Sequence, residues 1–392
     1  MKHIKNIFLL FFLFTTTNTF SAPENNITVI GIGRLGLCTA LCLEQAGYNV
    51  LGVDIFPDYV EKLNNKTLTS PEPGVEQALK NSVNFRATCD LDEGLEFSDM
   101  YFIIVATPST DKVEAYDHSG LNRLLQSINK RKVQNKHIVI GCTVFPGYIR
   151  NRASLLIKDC ENTTLSYNPE FIAQGCIMRD FKNPDMILIG EGNEQAGDIL
   201  EQMYNRLCEN EPKICRMSPT SAEITKLAVN CFVTTKIAFA NMIGDIADRS
   251  PGADKFDILD AVGKDKRVGN RYLRPGYGYG GPCFPRDNRA LGSYAKTVDV
   301  HPIIPEATDN SNKLHAQLMA QQFYAQYLDQ YVFEDVNYKP NCPVVIIEES
   351  QKLAVAKHLA KVGCNVKIRD NARVLAEVQG EYGNMFEYEE VS

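Results

Sequence analysis

No run of lysine or arginine interrupts this 392-residue sequence, and its formal net charge is −7. That balance excludes a broad nucleic-acid-binding surface, so an anionic ligand has to be met by a local cluster of positive groups. The apolar run at residues 7–14 is too short to span a bilayer, and no stable membrane span is expected. The 12 cysteines fall without metal-ligand spacing, so no metal site is expected. Cys38 and Cys42, four apart on an expected helix, read as packing. Thiols scattered in this way fit a reducing compartment better than a disulfide framework. No internal repeat or low-complexity tract is evident. Hydrophobic content of 44% and charged content of 23% suit a soluble globular chain with room for two or three domains.

What the sequence does have begins at residue 27. An apolar strand runs into Gly31-x-Gly33-x-x-Gly36, with Arg34 and Leu35 inside the turn. An apolar-rich helix and a second strand ending at Asp54 follow. Gly31 permits the tight turn, Gly33 lets a pyrophosphate approach the backbone, and Gly36 lets helix pack closely on strand. The helix N-terminus then offers free N–H groups to the phosphates. Asp54 stands where a carboxylate accepts hydrogen bonds from both ribose hydroxyls, which favours NAD over NADP. A plain βαβ turn is the alternative.

Residues 275–287, Pro-Gly-Tyr-Gly-Tyr-Gly-Gly-Pro-Cys-Phe-Pro-Arg-Asp, form a glycine-rich loop that leads into Cys283 and Asp287. Glycine lets a ligand approach the main chain, and a cysteine after such a loop can present its sulfur to a substrate. A flexible turn beside a structural thiol is the competing reading.

Strand-like runs at 27–32, 49–53, 100–106, 137–142, 164–167 and 186–189 alternate with helical stretches. This pattern predicts an α/β fold with a doubly wound, Rossmann-like parallel sheet and the cofactor at its strand ends. Thr107-Pro108 and Thr143-Val-Phe-Pro146-Gly147 are polar, turn-like strand ends suited to that crevice. From Ser218 a capped helix start opens a proline-free stretch, 224–249, that reads as one long helix. Lys226 and Asn230 share a face of it. A strand at 344–347, a helix at 351–362 and a strand at 365–368 suggest a second small α/β unit. The expected division is an NAD-binding domain at 26–215, a central helical domain at 216–328 and a shortened C-terminal unit at 329–392.

Residues 1–22 have the layout of a secretory leader: three basic side chains including His3, then an apolar stretch, then small polar residues with a cut after Ser21 or Ala22. Cofactor and free thiols point to the cytoplasm, and this leader points to export; the expectation is cytoplasmic, with export as the alternative.

Taken together, several motifs carry a resemblance. They are the Gly31–Gly36 turn, Glu72-Pro-Gly74, Thr107-Pro108, Thr143-Val-x-Pro146-Gly147 and Asn168-Pro-Glu-Phe-x-Ala173. Further along come Ser221-Ala-Glu-x-x-Lys-Leu-Ala-x-Asn230, Arg267-x-Gly-Asn270 and Gly278-x-Gly-Gly-x-Cys-Phe-Pro-x-Asp287. Collinear over residues 26–310, they resemble the UDP-glucose/GDP-mannose dehydrogenase family. The resemblance implies oxidation of a nucleotide-sugar C6 alcohol to a carboxylate with two NAD⁺. It implies Cys283 as nucleophile, Lys226 and Asn230 at the oxyanion, Asp287 as base with a water, and Glu170 as activator of the hydrolytic water, with Thr143 beside them. It places Thr107, Thr143 and Arg286 on the cofactor, and Glu170, Phe171, Lys226, Asn230, Tyr277, Gly280 and Lys339 on the substrate. Arg267 would reach a neighbouring subunit's substrate, which implies at least a homodimer.

The resemblance departs at Gln174, where the family has an acid, and at Cys142, where it has serine. The residues 331–340 lack the family's glycine, and the sequence ends about half-way through the implied nucleotide-binding domain. Part of the uridine pocket is therefore expected to be missing. Two other functions compete. One is a two-electron dehydrogenase of the 3-hydroxyacid or 6-phosphogluconate type, which needs no nucleophilic cysteine. The other is a non-catalytic NAD-binding remnant.

Overall fold

The structure, a computed structural model, describes residues 25–110, 115–172 and 174–391. The leader-like residues 1–22 and Ala173 lie outside these. Eight strands form one sheet: β1 (Asn26–Ile30), β2 (Asn49–Val53), β3 (Phe85–Thr88), β4 (Met100–Ile103), β5 (His137–Ile140), β6 (Thr164–Tyr167), β7 (Met186–Gly190) and β8 (Lys213–Met217). Their order is β3-β2-β1-β4-β5-β6-β7-β8. The chain starts in the middle, winds outward to β3, then crosses back to β4. This reversal beside β1 opens a crevice at the carboxyl ends of β1 and β4.

The strands are apolar on both faces because helices cover both. Val29, Phe102 and Val139 point into one buried cluster, while Ile30, Ile103 and Ile140 point into the other. The register sets Ile30 opposite both Val53 and Ile103. Two findings differ from the expected parallel sheet. β7 pairs antiparallel with β6 through Tyr167 and Gly190, and β8 continues parallel to β7. β3 and β8 are additional strands.

Past β8, Ser218 caps the long helix Pro219–Ala247 by accepting the Ser221 N–H at 3.2 Å, with proline in the first turn. The helix packs against β7 and against the helices Lys255–Lys264, Phe284–Thr297 and Ile303–Tyr324. Among the described residues it is the one helix long and apolar enough to cross a membrane, yet 44% of that window is buried inside the protein.

The C-terminal unit is a parallel sheet ordered β11-β10-β9, from β9 (Tyr331–Glu334), β10 (Val366–Asp370) and β11 (Glu387–Glu390). Two helices, Gln351–Lys361 and Ala372–Tyr382, connect its strands. The strand expected at 344–347 is not one. Its backbone is taken by a loop instead: the Ile346 N–H donates to Asn337 Oδ1 at 2.9 Å, and the Ile346 carbonyl accepts the Tyr338 N–H at 2.9 Å.

Candidate active site

The turn after β1 is built for a close ligand. Gly31 sits at φ +88°, and a Cβ there would lie 2.5 Å from the Ile104 carbonyl oxygen. A Cβ on Gly36 would lie 1.9 Å from the Gly31 oxygen, so the helix Arg34–Gln45 meets the turn only through glycine. At Gly33 the Cβ direction is open, with no atom within 4 Å. The first helical turn has no side-chain cap, leaving its N–H groups toward the space where a pyrophosphate fits. Gly33, Arg34, Leu35, Gly36, Thr107, Thr143 and Arg286 line a cavity of about 500 Å³ here. The Thr107 hydroxyl donates to the Thr143 carbonyl at 2.8 Å, tying two strand ends together. Asp54 lies outside the lining; one carboxylate oxygen accepts the Ile32 N–H at 3.2 Å and so anchors to the turn. These residues fit an NAD molecule.

The glycine-rich loop is clamped. The Gly276 N–H donates to Asn241 at 2.9 Å, and its carbonyl faces His315 Nε2 at 2.7 Å. Asn312 bonds both the N–H and the carbonyl of Tyr279, at 3.0 and 2.9 Å. A Cβ on Gly280 would come within 2.3 Å of the Glu349 carbonyl, so the C-terminal unit rests directly on the loop. Such anchoring disposes of the flexible-turn reading. The loop ends at Cys283, immediately before the helix Phe284–Thr297. Cys283 lines the cofactor cavity and also a second cavity of about 440 Å³, whose walls include Tyr277, Gly280, Tyr338, Lys339 and Lys352. It is therefore exposed to both spaces while protein encloses it on its other sides.

Behind Cys283 lies a charge cluster drawn from distant segments. Asp287 is fully buried; Asn230 Nδ2 donates to Oδ2 at 2.7 Å, and Arg286 Nε donates to Oδ1 at 3.1 Å. Lys226 is buried, donates to the Glu170 backbone carbonyl, and stands 4.4 Å from the centre of the Phe171 ring. Burial pulls the Lys226 ammonium down, against Asp287, Cys283 and Glu170, which hold it up. Burial pushes Glu170 up to about 7, opposed by a hydrogen bond from Tyr204 and by Lys226. Burial and Asp287 raise the Cys283 thiol, while Arg286 and Lys226 lower it. The downward pull of Lys226 is present, but burial outweighs it, and the net direction is up.

Lys339 reaches from the C-terminal unit and donates to the Gln174 carbonyl at 2.6 Å. Gln174 lines both cavities, and its side chain accepts from Arg34. The amide at this position therefore serves the positive turn without a charge. Cys142 is buried, its thiol pushed up to about 12 by burial. Arg267 is not brought to this site: its side chain is 89% exposed and pairs with Asp265 at 2.6 Å.

Comparison with known proteins decides the family. Residues 25–208 match the NAD binding domain of the UDP-glucose/GDP-mannose dehydrogenase family, and residues 220–314 match its central domain. The chain belongs to that family. It is 32% identical over 304 residues to a GDP-mannose 6-dehydrogenase from Pseudomonas savastanoi pv. phaseolicola, covering 74% of this chain and 68% of that one. Identity to a UDP-glucose 6-dehydrogenase from Rickettsia bellii is 34% over 312 residues, covering 78% and 70%. The solved UDP-glucose dehydrogenase from Pyrobaculum islandicum superposes with a TM-score of 0.83 at 28% identity, over 93% of this chain and 85% of that one. This family member is an NAD-dependent nucleotide-sugar 6-dehydrogenase.

Within the dehydrogenase several site residues were not singled out by sequence. Tyr204 is buried and donates to Asn168 at 2.6 Å and to Glu170 at 3.0 Å, fixing the carboxyl group. Glu223, three residues before Lys226, accepts the Gly147 N–H at 2.5 Å and the Ile149 N–H at 2.8 Å. Both Glu72 oxygens accept the Gly175 N–H, at 2.8 and 2.9 Å. Glu72 and Glu223 stand inside recognised motifs, so their importance was visible and their roles were not. Tyr116 donates to Asp287 Oδ1 at 2.9 Å, and no motif marks it.

Proposed function

We propose that the protein oxidises the C6 hydroxyl of UDP-glucose to the carboxylate, using two NAD⁺ per sugar and a thioester on Cys283. One observation carries this reading: Cys283 opens at once into the cofactor groove and into the second cavity, with Lys226 and Asp287 beside it. A two-electron dehydrogenase needs no thiol at that junction. A non-catalytic remnant has no need of the buried, compensated charges.

NAD⁺ bound in the groove supplies the hydride acceptor for both oxidations. Asp287, acting with a water, takes the hydroxyl proton as the first hydride leaves C6. Cys283 releases its thiol proton to water in the cavity and adds as thiolate to the aldehyde carbon; the C–S bond forms as the C=O π bond opens to an oxyanion. The Lys226 ammonium and the second N–H of Asn230 face the oxyanion and stabilise it. Loss of the second hydride leaves a thioester. Glu170 takes a proton from water, the resulting hydroxide attacks the thioester carbonyl, and the C–S bond breaks to return the Cys283 thiolate. Tyr277, Gly280, Phe171 and Lys339 hold the nucleotide sugar, and Asp54 selects NAD⁺ by its ribose. We assign Arg267 to the substrate of a neighbouring subunit. It lies outside both cavities of its own chain, and Phe232, Phe239, Met242 and Ile246 leave an apolar face on the long helix exposed.

The likeness to the solved UDP-glucose dehydrogenase supports this choice of sugar and base. Initial rates of NADH formation across a panel of UDP- and GDP-sugars test the choice. UDP-glucose is expected to give the highest kcat/KM, and a higher value for GDP-mannose overturns the assignment.

A further inference from the structure

Asp287 carries the first proton transfer of the proposed reaction, so a role for the groups that hold it rests on that proposed function. Its side chain is buried, and its orientation is set by its donors. Asn230 and Arg286 belong to the same helical domain as Asp287. The remaining donor, the Tyr116 hydroxyl at 2.9 Å from Oδ1, comes from the cofactor domain. Tyr116 is 2% exposed and is pinned there by local structure. It forms an antiparallel bridge with Ser109, and the next residue, Asp117, donates its N–H to the Pro108 carbonyl at 2.9 Å. Both contacts run to the loop just after Thr107, which lines the cofactor groove. The Arg286 guanidinium lies over the Tyr116 ring, 4.9 Å from its centre, and Arg286 lines the same groove. Burial and the Asp287 charge hold the Tyr116 phenol well above its ordinary pKa, so it stays a donor.

We propose that Tyr116 is a positioning residue for the first oxidation: it fixes Asp287 against the cofactor domain so that the carboxylate faces the water that takes the C6 hydroxyl proton. Only the alcohol step uses Asp287 as base. The aldehyde step runs through Cys283, Lys226, Asn230 and Glu170, and the Tyr116 hydroxyl donates to Asp287 rather than to any of these. The two half-reactions therefore separate a positioning role from a general loss of structure.

Tyr116→Phe keeps the ring under Arg286 and removes only the hydroxyl. With UDP-glucose, kcat is expected to fall about tenfold while the KM values for NAD⁺ and sugar stay within about twofold. With the 6-aldehyde, UDP-gluco-hexodialdose, the rate of acid formation should match wild type. In an Asp287→Asn background, Tyr116→Phe should cost nothing further in the alcohol step, because residues acting through one group are not additive. Equal losses in both half-reactions, additive losses in the double variant, or an unchanged alcohol rate in Tyr116→Phe each overturn the proposal while leaving the dehydrogenase reading intact. A wild-type protein that reduces NAD⁺ with no nucleotide sugar overturns that reading and this inference with it.

Discussion

The cofactor turn and the charge cluster behind Cys283 are built by opposite means. The pyrophosphate turn is mostly main chain: one strand, one turn and one helix within residues 26–45 form it, and its key side chain at Gly33 is an absence. The catalytic cluster is mostly side chain. Glu170, the Lys226–Asn230 face of the long helix, and Asp287 come from three places in the sequence and compensate one another's burial. A backbone site tolerates local change as long as glycine stays where a Cβ would clash. A site of mutually compensated charges does not, because removing one member leaves another buried without its partner.

The largest effect is expected at the junction itself. Cys283→Ser should cut acid formation by on the order of a thousandfold or more, while NAD⁺ affinity, measured by calorimetry, stays within about twofold. Loss of NAD⁺ binding in that variant would mean the two regions are not separable. A sharper distinction comes from Glu170. Burial holds it at about 7, and only its carboxylate form takes a proton from water. Thioester hydrolysis should therefore slow as pH falls below about 7, approaching tenfold per pH unit. The thioester on Cys283 should accumulate under those conditions, detectable by mass spectrometry of acid-quenched enzyme. Glu170→Gln should accumulate it at every pH. A hydrolysis rate that is flat from pH 5.5 to 8, itself about the range bracketing this group, assigns the water to another base.

The same contrast explains what was legible in the sequence. The cofactor turn was readable because strand, glycines, helix and Asp54 lie within one short segment and each has a local steric reason. The strands at the sheet margins were not. β3 carries exposed Arg86 at its centre, β8 is only half-buried, and β11 is Glu-Tyr-Glu-Glu, so none shows the apolar run that marks a central strand. The reverse error occurred at 344–347, where Val-Val-Ile-Ile reads as strand but its backbone is spent on Asn337 and Tyr338. Strand direction at β7 depends on how the chain crosses, which composition does not encode. Cys283, Lys226, Asn230 and Asp287 were singled out through motifs, and the structure brings them together. Tyr116 and Tyr204 were invisible because a buried tyrosine in sequence reads as core, and only tertiary packing shows that its hydroxyl lands on a carboxyl group.

A smaller effect is expected in the backbone-built region. Asp54→Asn keeps an acceptor for the Ile32 N–H but removes the charge proposed to repel a 2′-phosphate. The ratio of kcat/KM for NAD⁺ over NADP⁺ should fall about tenfold, with the absolute rate on NAD⁺ changing less. An unchanged ratio removes Asp54 from the cofactor site and narrows the groove's selectivity to its glycine turn.

The central claim is that Cys283 joins two oxidations of one carbon without releasing the aldehyde between them. Its most direct test is the amount of NADH formed per mole of UDP-glucose consumed, measured in a single reaction together with a trap for free aldehyde. The account expects two NADH per sugar, UDP-glucuronate as product and no trapped aldehyde. One NADH per sugar with the aldehyde recovered in the trap would contradict it.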